Sequence, residues 1–239
     1  MLLVSATATA PATAADTKLA AEAKMHLRII TKIDKFTNSD IHGNAPDDIS
    51  VRTYMPDIVQ SLSVFSPNVF KKIALRRVVL CQGLWYKSQS RAAIADFTSD
   101  ALYLDLSKSS YPPEFVKISI AHELFHMIDY YEDGKLYEDN SWSRLNKGPG
   151  YGHGGKWVLD DRYSGDLNYT RPGFLNRYST TGVEEDKATL FSYMIFDYPM
   201  VAKRAEKDPI LKSKVTRMKT LLHSFDSSFD NNFWLKLSR

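Results

Sequence analysis

The sequence predicts an α+β fold: a small mixed sheet beside a helix that carries an active site, flanked by mainly helical N- and C-terminal parts. Three observations predict it. Apolar residues recur at three- and four-residue steps before residue 65 and after residue 182, the period of amphipathic helices. Between residues 74 and 106 the texture changes to short Val- and Leu-rich runs of strand type. Directly afterwards His122-Glu123-Leu124-Phe125-His126 reads H-E-x-x-H within another helical stretch.

A chain of 239 residues can bury one large core or two lobes around a cleft. Its 44% hydrophobic and 25% charged residues are those of an ordinary globular protein. The net charge is only +3, and the basic pairs Lys71-Lys72, Arg76-Arg77 and Lys203-Arg204 are small and dispersed. They read as solvated faces, so no nucleic-acid partner is expected. Cys81 is the single cysteine, which rules out an intrachain disulfide and a thiolate zinc cluster. It lies in the run Val78-Val79-Leu80-Cys81 and reads as a small buried hydrophobe. Residues 1–15 form an Ala/Thr-rich leader that resembles the end of a secretory signal, although a basic n-region is missing and the apolar core is weak. They favour a secreted or periplasmic location over a cytoplasmic one. No other stretch is long and apolar enough for a membrane span. Without repeats, heptads or a long linker, residues 16–239 read as one domain.

The first predicted helix covers 16–36, with Leu19, Ala23, Leu27, Ile30 and Ile33 on one stripe. Residues 38–48, rich in Asn, Asp, Ser, Gly and Pro, read as a loop with His42 exposed. A second helix covers 49–65, kinked or broken near Pro56, and Ser66-Pro67-Asn68 caps a short turn. Strands are expected at 74–84, 92–97 and 100–106, the last two joined by Thr98-Ser99. Alternation in the last puts Leu102, Leu104 and Leu106 on a buried face and Ala101, Tyr103 and Asp105 on an open one. If this sheet lies beside a cleft, its edge could take a peptide by strand addition. Ser109 to Glu114 supplies a cap, prolines and a first-turn acid, so a helix runs from Pro113 to Glu132. A further helix spans 182–204, and Lys207-Asp208-Pro209 opens another to Phe225 with Leu211, Val215, Met218 and Leu222 on its stripe. The aromatic tail from Ser227 packs back on a lobe.

On a helix, residues four apart share a face, so His122 and His126 can bind one metal ion without backbone distortion. Glu123 is rotated by about 100° and can reach a metal-bound water. Two imidazoles, a carboxylate base and an open position are what a zinc hydrolase needs. Asp129 lies on the stripe of the histidines and suits a partner for an imidazole N–H. A catalytic zinc needs a third protein ligand. His153, in the glycine-rich run 147–155, is one candidate, though such loops position ligands poorly. A stronger one lies near Thr181-Gly182-Val183-Glu184, which reads as a capping box and accounts for Glu184. Glu185 then faces elsewhere, on a stripe with Thr189, Ser192 and Phe196. Asp186 is a rival that spacing alone does not exclude.

H-E-x-x-H, Tyr178 seven residues before Glu185, and the following Glu185-Asp-Lys-Ala-Thr-Leu-Phe191 together resemble the zincin metallopeptidases of the anthrax lethal factor and Pro-Pro endopeptidase type. The resemblance covers roughly residues 112–199. It implies a zincin-like fold with one Zn2+ per chain, held by His122, His126 and Glu185, and Glu123 as general base. It also implies that Tyr178 donates a hydrogen bond to the oxyanion, and Asp129 matches an Asp that follows the motif in that family. At Thr189 the chain departs from the family, which carries a Glu there. The expected activity is endopeptidase cleavage of a protein or peptide substrate. The alternative, from another class, is a non-catalytic zinc-stabilised binding or effector domain; the intact Glu123 and Tyr178 argue against it.

Overall fold

β3 (Arg77–Tyr86) is the axis of the sheet in the computed structural model, which describes residues 13–33, 36, 38–107, 113–148, 150–154 and 165–238. Its first half pairs in parallel with β1 (Arg28–Ile30) and β6 (Ala101–Asp105), and β5 (Ala93–Asp96) runs antiparallel to β6 at the edge. Its second half pairs antiparallel with β2 (Ile41–Asn44) and β4 (Gln89–Ser90). The sheet is therefore mixed and open, and the fold is α+β.

Three of these strands, β1, β2 and the two-residue β4, are not among those expected from the sequence. The helix expected over 16–36 is α1 (Ala14–Met25), started by a Thr13/Asp16 capping box and ended by His26 in the left-handed region at φ 55°. Leu27 and Ile29 are then buried while Arg28 is exposed, which is strand alternation. Leu27, Ile30 and Ile33 fall at helical steps by coincidence, and the β-branched pair Ile29-Ile30 suits the pleat better. The loop expected over 38–48 holds β2. There a Cβ on Gly43 would lie 3.4 Å from both the Cys81 Cβ and the Phe36 ring, in ordinary van der Waals contact.

α2 (Asp48–Ser63) runs through Pro56 without a break, and the turn expected after Ser66 is a short helix, α3 (Pro67–Lys72), capped by Ser66. α4 (Pro113–Asp133) matches its expected span; the Ser109–Pro112 cap and leader residues 1–12 lie outside the described residues. α5 (Asn140–Ser143) is a single turn. The helix expected over 182–204 is two, α6 (Val183–Phe196) and α7 (Tyr198–Lys207). Pro199 cannot continue a helix, and Asp197 caps the new one by accepting from Met200 N–H at 3.3 Å. Then come α8 (Pro209–Phe225), capped by Asp208, and α9 (Asn231–Leu237).

One core runs between the helices and one face of the sheet, with Leu80, Leu102, Ile58, Phe70, Phe125 and Phe191 among its buried residues. The aromatic tail joins it as expected, through Phe229 beside Phe65 and Phe191. The opposite face of β6 is not open. Tyr103 is 2% exposed there, stacked on Phe36 at 5.8 Å and grouped with Ile41, Val79 and Cys81. The segment after β1 supplies that cover, so β6 is buried on both faces, as an interior strand paired in parallel is expected to be. Among the described residues no helix is long and apolar enough to cross a membrane.

Asp226 closes the corner between α8 and α9. Its carboxylate accepts from Ser228 N–H at 3.0 Å and Asn68 Nδ2, and pairs with Lys72 Nζ at 3.1 Å. Burial opposes ionisation, but the bonds from Ser228 and the pairing with Lys72 and Asn68 prevail and lower its pKa. A depressed folded pKa stabilises above the unfolded value, near 4, and that contribution fades as pH falls toward the folded value. Thermal unfolding of Asp226→Asn should therefore lie below wild type at pH 6, with the gap closing as the pH drops below about 4. A gap independent of pH would contradict this.

Candidate active site

α4 is buried along most of its length; Ile120, Ala121, Leu124, Phe125, Met127 and Ile128 are each at most 1% exposed. Phe125 packs on Phe191 of α6 with ring centroids 5.1 Å apart, which sets the two helices together. This packing turns His122 and His126 toward the first turn of α6. His122 Nε2 lies 2.9 Å from Glu185 Oε2 and 3.2 Å from His126 Nε2, and His126 Nε2 lies 3.6 Å from the same Glu185 oxygen. All three side chains are 12 to 14% exposed, so the triangle is sheltered but reachable.

The donor set and its dimensions fit a metal ion. Tetrahedral zinc with bonds of about 2.0–2.1 Å sets its ligand atoms roughly 3.3 Å apart, close to these three edges. His122, His126 and Glu185 could therefore hold it, and Glu123 places a carboxylate oxygen inside 4.8 Å of the two histidine nitrogens. The three groups compensate one another electrostatically. Burial would raise the Glu185 pKa, but hydrogen bonding to His122 and His126 holds it far below the carboxylate range. Burial would lower that of His126, yet Glu185 pushes it up to about 9.

Glu123 is fixed from the sheet. Its Oε2 accepts the Ala95 main-chain N–H at 3.0 Å, so the edge strand β5 and Glu123 are tied together. Tyr178 sits in a 3₁₀ turn (Tyr178–Thr180) just ahead of α6. An Asn176–Ser179 turn shapes this segment: Ser179 N–H donates to Asn176 Oδ1 at 2.9 Å, and Ser179 Oγ to Asn176 O at 2.7 Å. The Tyr178 hydroxyl donates to Glu185 Oε1 at 2.9 Å, and its ring lies 5.9 Å from that of His122. Burial, then the Glu185 charge, keeps the phenol protonated well above its usual pKa. A protonated phenol beside the His122–His126–Glu185 triangle can serve as a hydrogen-bond donor.

The remaining expected site residues fall into place differently. Asp129 is 1% exposed and pairs with Lys187 of α6; among the described residues its Oδ2 and the His126 Nδ1 each have no hydrogen-bond partner. The expected bond from a histidine to Asp129 is thus absent, and the carboxylate instead links α4 to α6. Thr189 is buried with its carbonyl accepting from Ser192 Oγ at 2.9 Å, and among the described residues its hydroxyl makes no bond to a site residue. The capping box does not form. α6 starts at Val183 with Gly182 as its cap, so the N3 position belongs to Glu185, which faces the histidines; the Thr181 hydroxyl bonds back to Tyr178 O at 2.7 Å. His153 is not gathered with the His122 cluster. Its loop is held elsewhere, with Gly152 and Gly154 N–H bonding to Thr180 O and Thr181 O at 2.9 and 2.7 Å.

Asp186, the rival third ligand, points away from the histidines. It accepts from Trp142 Nε1 at 2.8 Å, Tyr151 OH at 2.6 Å and Lys214 Nζ at 2.6 Å. Lys214 is fully buried and also donates to Gly173 O at 2.6 Å. Arg204 gathers the carbonyls of Leu167, Tyr169, Phe174 and Leu175 at 2.9 to 3.1 Å. These contacts fasten the segment carrying Trp142, Tyr151 and Tyr178 against α6. Sequence reasoning missed Lys187, Lys214 and the Ala95 amide, because each acts through a partner far away in the chain. Scans against protein-family models, curated proteins and solved structures find no match to this chain.

Proposed function

We propose that the chain is a zinc-dependent endopeptidase of zincin-like build. The observation that carries the reading is the convergence of His122, His126 and Glu185 on one point, with Glu123 of α4 beside them and bonded to the edge strand β5. When bound, zinc would supply a Lewis acid that lowers the pKa of a water toward ~7 and polarises a carbonyl.

The chain's own groups then have distinct tasks. Glu123, held by the Ala95 amide, takes the proton of the attacking water and passes it to the leaving amine. Tyr178 donates to the oxyanion that forms at the scissile carbonyl. Its present acceptor, Glu185 Oε1, keeps the hydroxyl at the site until then. Asp105 N–H bonds to Ala92 O at 2.8 Å, so in the antiparallel register the Ile94 main chain faces β6, while the Ala93 main-chain groups and the Ala95 carbonyl face outward and the Ala95 N–H is taken by Glu123. An extended substrate pairing with this edge would lie beside Glu123.

The test is a random peptide library incubated with the zinc-loaded chain and read by mass spectrometry. Cleavage that stops on chelation and returns with zinc supports the reading. Zinc binding without cleavage of any peptide would favour a non-catalytic binding domain. Tyr178→Phe should lower kcat by roughly 10²-fold with little change in KM, as loss of one oxyanion donor does. Equal loss in KM would move Tyr178 from oxyanion donor to ground-state binding.

A further inference from the structure

The edge of the sheet carries a charged side chain to which the proposed hydrolysis gives no task. Arg91 follows β4 and precedes β5, and its main-chain N–H donates to Leu84 O of β3 at 2.8 Å, which fixes the turn into the edge strand. It comes four residues before Ala95, whose N–H is taken by Glu123, so at most about 14 Å of chain separates the two. The side chain is partly buried and turns toward the cleft. Its charge reaches the Tyr178 hydroxyl, where it opposes the rise in pKa that burial and Glu185 cause. Arg91 and Glu123 therefore mark two points along one edge strand, with Tyr178 facing both.

The guanidinium is held in place but not neutralised. One Nη donates to Gln89 Oε1 of β4 at 2.8 Å, which is an uncharged amide oxygen, and among the described residues no carboxylate pairs with Arg91. Other arginines of the chain are committed to the fold. Arg76 pairs with Asp100 at 3.4 Å and Arg217 with Asp139 at 3.5 Å, while Arg77 and Arg204 donate to main-chain carbonyls. A guanidinium presents a rigid fork of N–H donors that matches the two oxygens of a carboxylate. Gln89 takes up only part of that fork and restrains its orientation, so little freedom is lost when a second acceptor binds. A carboxylate would also relieve the cost of a partly buried cation without a countercharge. The outward main-chain groups of Ala93 beside it suit a peptide carboxylate rather than a free anion. An extended peptide advances about 3.3 Å per residue, so the carboxylate would belong to a residue within about four of the cleaved bond.

We propose that Arg91 is a specificity-determining residue of the cleft that binds a carboxylate of the substrate, carried by an acidic side chain or by the chain terminus. This rests on the endopeptidase reading.

The test measures kcat/KM for otherwise identical peptides with the zinc-loaded full chain. One set carries Glu, Gln or Lys at each position within about four of the cleaved bond, and a second ends in a free acid or an amide. The carboxylate should exceed its neutral counterpart by at least about tenfold, as expected of charge-assisted hydrogen bonds. A preference in the first set assigns the carboxylate to a side chain, and one confined to the second assigns it to the terminus. Arg91→Gln should cut the ratio about tenfold, and Arg91→Lys should retain part of it. A merely structural Arg91 would lower both rates together and leave the ratio intact. Cleavage without a carboxylate preference, or a ratio unchanged in Arg91→Gln, overturns the assignment and leaves the peptidase reading standing. If no peptide is cleaved, the peptidase reading falls, and binding of the same peptides to the zinc-loaded Glu123→Gln chain decides. A carboxylate preference removed by the added Arg91→Gln keeps Arg91 in its role, and no preference overturns it.

Discussion

Replacing Glu123 by Gln is expected to lower kcat/KM roughly 10²–10⁴-fold, the usual contribution of a positioned acid–base group. Zinc content should stay the same, because His122, His126 and Glu185 form the ligand triangle and Glu123 lies to one side of it. The substitution is a clean one. Gln keeps the length of the side chain and an oxygen that can accept the Ala95 N–H, which Glu123 now accepts at 3.0 Å. Only the capacity to take a proton is removed. Kinetics of wild type and Glu123→Gln at matched zinc loading check this, and a loss of less than about tenfold would remove Glu123 from the role of base.

Asp186→Ala is expected to have the largest effect on stability, about 3–5 kcal/mol, because it strands one member of a buried ion pair. Lys214 would keep only the Gly173 carbonyl, while Trp142 Nε1 and the Tyr151 hydroxyl would lose their shared acceptor. Burial already lowers the Lys214 pKa below its ordinary value even with Asp186 beside it. For a chain of this size the loss corresponds to a drop in Tm on the order of 10 °C. Asp186→Leu combined with Lys214→Met should recover part of it, since apolar replacement of a whole buried pair is often near neutral. Denaturant unfolding of the three proteins tests this. Equal losses in the single and double variants would show that packing around Trp142, rather than the ion pair, dominates.

The contrast between Glu185 and Asp186 also shows what the sequence could and could not tell. Two adjacent acids in the first turn of one helix point about 100° apart, so only one can face His122. Which one depends on where α6 begins and on what it packs against. Thr181-Gly182-Val183-Glu184 has the spacing of a capping box, yet the helix starts one residue later, and this shift gives the N3 position to Glu185. By contrast, α4 was legible from local chemistry alone, through Pro113 at its start and the apolar positions around the two histidines. β1 was not, because Leu27, Ile30 and Ile33 satisfy a helical period while Leu27 and Ile29 satisfy a strand period. β2 was hidden by the turn-type residues Gly43 and Asn44, which are held in the strand by pairing with β3, distant in the chain. The buried pairs Asp129–Lys187 and Asp186–Lys214 join residues distant in the chain, and no local spacing encodes them.

In the proposed mechanism three side chains from two helices hold the zinc on which hydrolysis depends. Anomalous diffraction at the zinc edge from crystals of the zinc-loaded protein would locate that ion. One strong peak per chain is expected, about 2.0–2.2 Å from His122 Nε2, His126 Nε2 and a Glu185 oxygen. No peak there, or a zinc bound by His153 or Asp186 instead of Glu185, would contradict it.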